Sequence, residues 1–124
     1  MESAISQQWY RLYANNPKIQ AFAVAKGDQV VWQTENWNLL DDIKQIVKAP
    51  KEEASKVSVG GIKYKRIAST LDTFLGTAAD GKGHLLMVRI NEGGWAIAWA
   101  ESTSVPELAL VDLAKAAIHL SSHV

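Results

Sequence analysis

Apolar side chains recur at Ile5, Trp9, Leu12 and Tyr13, a spacing that predicts an amphipathic helix over residues 4–15, with Ser3 to cap it and Pro17 to limit it. Ile19 to Ala25 reads as a strand, Gly27-Asp28 as a tight turn and Gln29 to Thr34 as the returning strand, so this pair is a hairpin. Asn38 is placed to cap a short second helix whose apolar stripe is Leu39, Leu40, Ile43, Ile46 and Val47. Pro50 is expected to stop that helix, and Lys51 to Ser55 to form a solvated loop. Asp41 and Asp42 fall in its first turn, where carboxylates complement the helix dipole.

The period then changes to two. Val57 and Val59 open a strand that Gly60-Gly61 interrupts as a bulge or bend before Ile62 to Ile67 continue it. Thr73 to Thr77, His84 to Ile90 and Trp95 to Ala100 follow as further strands, separated by Asp80 to Gly83 and by Asn91 to Gly94. The last strand shows Trp95, Ile97 and Trp99 on one face and only Ala96, Ala98 and Ala100 on the other, so a helix should lie very close to the alanine face. Ser104 and Glu107 have the spacing of a capping box around Pro106, and open a final helix. That helix is apolar on nearly every side apart from a stripe of Asp112, Lys115 and His119, so most of it should be covered. The order predicts an α+β fold: one central antiparallel β-sheet flanked by N- and C-terminal helices.

Composition narrows the function. At 124 residues, 48% apolar and 21% charged, residues 1–124 are expected to form a single domain. Thirteen basic residues balance thirteen acidic ones, which argues against nonspecific nucleic-acid binding. The balance is uneven locally: residues 44–66 carry seven cations against Glu52 and Glu53, whereas residues 67–112 carry six carboxylates against Lys82 and Arg89. Cysteine is absent, which removes disulfides, thiol catalysis and cysteine-held metal centres. With no signal-like N-terminus and no apolar run of membrane-spanning length, a soluble cytoplasmic protein is expected.

Candidate chemistry is sparse. Gly76 to Lys82 has the spacing of a phosphate-binding loop, but Gly83 stands where its Ser or Thr belongs, and a strand rather than a helix should follow. His119 and His123 are one helical turn apart without a third ligand, and no nucleophile–base arrangement is suggested, so neither metal nor cofactor nor enzymatic activity is expected. Five tryptophans remain. Trp9 and Tyr13 share a helix face and Trp32 lies on the hairpin beneath it, which makes either an aromatic-rich core or a surface for a polyproline II segment.

The segments Trp9-Tyr10-Arg11-Leu12-Tyr13, Gly27 to Gln33, Gly60-Gly61-Ile62-Lys63-Tyr64 and the glycine-and-lysine turn within Gly76 to Gly94 resemble those of profilin, the actin-monomer-binding family. The resemblance implies a monomeric, non-enzymatic protein that binds actin or an actin-like monomer through later strands and the last helix. Lys65, Lys82, Arg89 and Lys115 are the actin-facing residues it implies. It also implies proline-rich segments held between the terminal helices, with Trp9, Tyr13, Trp32 and His119 as the residues concerned. The roadblock family, homodimeric partners of small GTPases, has a similar element order but a long middle helix.

Overall fold

The computed structural model describes residues 2–124, except for the side chains of Glu2 and Ser3, so the Ser3 cap lies outside the described residues. Helix α1 (Glu2–Asn15) leads into the hairpin β1 (Ile19–Lys26) and β2 (Gln29–Gln33), whose turn places Gly27 at a φ of +60°. Helix α2 (Ile43–Glu52) precedes five strands: β3 (Lys56–Val59), β4 (Ile62–Ser69), β5 (Thr73–Ala78), β6 (His84–Asn91) and β7 (Gly94–Ala100). Helix α3 (Pro106–Leu120) closes the fold. The seven strands form one antiparallel sheet in the order β2-β1-β7-β6-β5-β4-β3.

The pleat of the central strands sorts the core into two halves. Phe22, Val24, Leu86, Val88 and the three alanines of β7 meet Ile5 and Leu12 of α1 and Ala109, Leu113 and Ala117 of α3. Small residues oppose small residues there, so α3 lies close to the sheet, as the alanine face requires. On the opposite face Ala23, Met87, Trp95 and Ile97 pack against Leu39 and against Ile43 and Ile46 of α2. The Asp112 carboxylate accepts hydrogen bonds from the side-chain amides of Asn15 at 3.0 Å and Asn16 at 3.1 Å, which ties the end of α1 to the first half of α3.

Four local expectations are corrected. Helix α2 starts at Ile43 with Asp42 as its N-cap, rather than at Leu39 under an Asn38 cap; the Asn38 side chain instead accepts from the Leu40 amide. The Asp42 carboxylate accepts from the Gly60 amide at 2.9 Å, so it ties the helix start to the β3–β4 turn. Pro50 lies inside α2 and is buried, and the helix ends a turn later at Glu53, whose φ is +50°. Proline lacks an N–H and forfeits one bond there, but its own carbonyl still accepts from Glu53. Gly60-Gly61 is a two-residue hairpin turn rather than a bulge: Val59 pairs with Ile62, and both glycines take positive φ. The capping box does not form, because Val105 is the N-cap of α3 and the buried Ser104 hydroxyl makes no hydrogen bond.

The expectation that α3 is mostly covered is also corrected. Leu108, Val111 and Ile118 are 62%, 53% and 70% exposed. The polar stripe of Asp112, Lys115 and His119 faces α1, and these three apolar side chains are left outside while Leu113 and Leu120 are buried.

Candidate functional site

Helix α1 divides the predicted aromatic set. On its β-hairpin side the Trp9 ring lies 5.5 Å from Tyr13 and stacks at 6.1 Å on Phe22, which in turn meets Trp32 at 6.0 Å. Phe22 is core, Trp9 and Trp32 are half-buried, and Tyr10 and Tyr13 are exposed, so the ladder runs from the interior to the surface. A shallow hollow beside it is lined by Trp9, Tyr10, Trp32 and the polar segment Gln33 to Asn36. His119 does not join this group. It lines a separate groove between α1 and α3, floored by Leu12 and Ala116 and flanked by Arg11 and Lys115.

The four basic candidates also divide between the two faces of the sheet. Lys65 is exposed on the face that carries the terminal helices, across β4 and β5 from Thr77, and forms a basic cluster with Lys56 and Lys63 beside the exposed Ile67. Lys115 is exposed on α3. Arg89 points the other way: its guanidinium lies 5.2 Å from the Trp95 ring centroid, its Nε is 3.0 Å from the Asp72 carboxylate, and it donates to the Leu71 carbonyl at 3.2 Å. It holds the β4–β5 loop against the sheet. Lys82, in the β5–β6 turn, lines a hollow on the α2 side with Trp37, Tyr64 and Trp99.

That turn is held by backbone geometry that only glycine accommodates. Gly83 has a φ of +100°, and a Cβ built there would stand 2.5 Å from the Trp99 indole, whose Nε1 donates to the Lys82 carbonyl at 3.0 Å. The glycine-rich run that resembled a phosphate loop is therefore a hairpin connection, followed by strand β6. Tyr64 shares the α2-side cluster with Trp99, and burial pushes its phenol above the ordinary value of 10.0.

Two features of the surface were missed by sequence reasoning. Trp37 was assigned no place, and it lies half-buried against the α2-side core. The exposed row of Leu108, Val111 and Ile118 spans i, i+3 and i+10 on α3, a spacing visible in the sequence but indistinguishable there from a covered face. Among the described residues no helix is long and apolar enough to cross a membrane.

No protein-family model matches the chain. Thor profilin, from Thorarchaeota archaeon (strain AB_25), is 33% identical over 102 residues, which cover 80% of each chain. Loki profilin-2 of Lokiarchaeum sp. (strain GC14_75) is 36% identical over 78 residues, or 57% of this chain. A solved complex of Loki profilin-2 with rabbit actin contains a chain that superposes with a TM-score of 0.92 at 28% identity, over the full length of both. The more distant profilin of Schizosaccharomyces pombe, at 18% identity, shares the fold with a TM-score of 0.76 over 91% of this chain and 93% of its own. With this sheet, these helices and a relative matched over most of its length, the chain belongs to the profilin family.

Proposed function

We propose that this protein binds an actin or actin-like monomer, as a cytoplasmic, monomeric and non-enzymatic partner. The observation that carries the reading is the exposed apolar row Leu108, Val111 and Ile118 on α3, in a chain that matches along its whole length a relative solved in complex with rabbit actin. Large apolar side chains left in water on an otherwise well-packed helix mark a protein-contact surface. Lys65 and Lys115 lie on the same side of the sheet and supply charge around it, whereas Lys82 and Arg89 support the other side through the β5–β6 turn and the Asp72 loop. The roadblock alternative gives way to the profilin relatives, and α2, at 10 residues, is not a long middle helix. In a pyrene-actin assembly assay the protein should lengthen the lag of spontaneous assembly in proportion to its concentration. An unchanged lag at a severalfold excess would overturn the reading.

The aromatic ladder supports a second contact. Trp9, Tyr10 and Trp32 line one hollow with polar neighbours, the combination of flat rings and hydrogen-bonding groups that suits a polyproline II segment. Titration with a polyproline peptide should change tryptophan emission, and Trp9→Ala should remove the response while the fold is retained. A peptide that leaves the emission unchanged, with Trp9→Ala costing about 3 to 5 kcal/mol of stability, would make Trp9 a core residue instead.

A further inference from the structure

We propose that the hollow on the α2 side of the sheet, lined by Trp37, Tyr64, Trp99 and Lys82, is a binding site for a small planar aromatic anion. It lies between the segment that leads into α2, the β3–β4 turn and the β5–β6 turn. Its volume of about 440 Å³ falls within the range of small-molecule sites. Tyr64 and Val59 are almost wholly buried and form its base, Trp37 and Trp99 are half-buried, and Asn38 and Lys82 are exposed at its rim. Among the described residues, none of the large apolar side chains exposed on the surface lines it. The apolar area is gathered inside a concavity instead of spread over a face, which suits a small molecule rather than a protein partner.

The lining sets the ligand class. Two indoles and a phenol offer π surfaces to a flat ring system. Lys82 is the one charged residue among those that line the hollow, so a negative group on the ligand meets a cation at the rim and no carboxylate in the lining. The three borders are also fixed in advance. The Trp99 indole donates to the Lys82 carbonyl at 3.0 Å, and at Gly83 the absence of a side chain leaves room for the ring. The Asp42 carboxylate holds the β3–β4 turn through the Gly60 amide at 2.9 Å. Before α2, the Trp37 amide donates to the Thr34 carbonyl at 3.1 Å and the Asn36 side-chain amide to the Gln20 carbonyl at 2.8 Å. A site whose borders are already tied to the sheet and to α2 loses little conformational freedom when a ligand enters.

The test is a titration of the isotope-labelled protein with naphthoate, followed by the indole N–H resonances of its five tryptophans, with neutral naphthamide and non-aromatic cyclohexanecarboxylate as comparisons. The signals of Trp37 and Trp99 should move in a saturable way, while those of Trp9 and Trp32, packed on the opposite face of the sheet, should stay in place. Naphthoate should bind more tightly than either comparison ligand. Lys82→Gln, in an exposed turn, should weaken naphthoate about two- to fivefold and leave naphthamide unchanged. Lys56→Gln, in the basic cluster on the other face, should change neither. A Leu108→Asp, Val111→Asp variant should bind naphthoate as the wild type does, so this site and the actin contact fail separately. Movement of Trp9 or Trp32 in place of Trp37 and Trp99, a comparison ligand that binds as tightly as naphthoate, an unaltered affinity in Lys82→Gln, or no saturable shift at millimolar naphthoate would each overturn the assignment.

Discussion

At the scale of single residues, Tyr64 and Gly83 show how the α2 side of the sheet is held. Gly83 is required because the Trp99 indole occupies the space of any Cβ, and that indole shares the α2-side cluster with Tyr64. The raised value of the Tyr64 phenol sets a sign for alkaline behaviour. Below the ordinary value of 10.0 both states keep the proton and the contribution of this group is complete. Above it the unfolded chain releases a proton that the folded chain retains, so stability falls as pH rises toward the folded value. Melting curves of the wild type and Tyr64→Phe across that range should show the wild type losing stability more steeply. Parallel curves would mean that burial does not favour the neutral phenol.

At the scale of elements, the legible parts were those governed by a period along the chain. The alternation in β7 indicated a helix against its alanine face, and the i, i+4, i+7 spacing located α1 to within a few residues. Signals read from single residues did less well, because tertiary contacts override them. Asp42 starts α2 because its carboxylate is fixed to Gly60, Pro50 is accommodated because the helix ends soon after it, and Val105 displaces Ser104 as the cap of α3. The candidate residues were legible as types but not as neighbours. His119 and Trp9 stand on opposite sides of α1, and Lys65 and Arg89 on opposite faces of the sheet, which requires the packing of the helices and the pleat to be known. The close approach of α3 makes a testable demand at Ala98, which is fully buried beneath it. Ala98→Leu should cost about 1 to 3 kcal/mol in urea unfolding, by overpacking the helix–sheet layer. A neutral result would mean that α3 stands further off than the small residues indicate.

At the scale of the whole molecule, zero net charge conceals surfaces of different character. Lysines cluster at the β3–β4 end of the sheet, an apolar row runs along the outer face of α3, and cations line the groove between the terminal helices. The seven-stranded sheet keeps these apart, with the α2 side closed by Trp95, Trp99 and Tyr64 and the other side carrying the terminal helices. The stability of the fold does not depend on the exposed row: substitutions at Leu108 or Val111 change solvent-facing atoms and should alter unfolding free energy by less than about 0.5 kcal/mol. Any larger loss of binding in such variants therefore reports on the contact itself. The most direct measurement is a calorimetric titration of monomeric actin with the wild-type protein and with the Leu108→Asp, Val111→Asp double variant. The wild type should form a one-to-one complex, and the variant, with an unchanged melting temperature, should bind at least tenfold more weakly. A wild-type protein that gives no complex, or a variant that binds as tightly as the wild type, would contradict the assignment of α3 as the actin-contacting face.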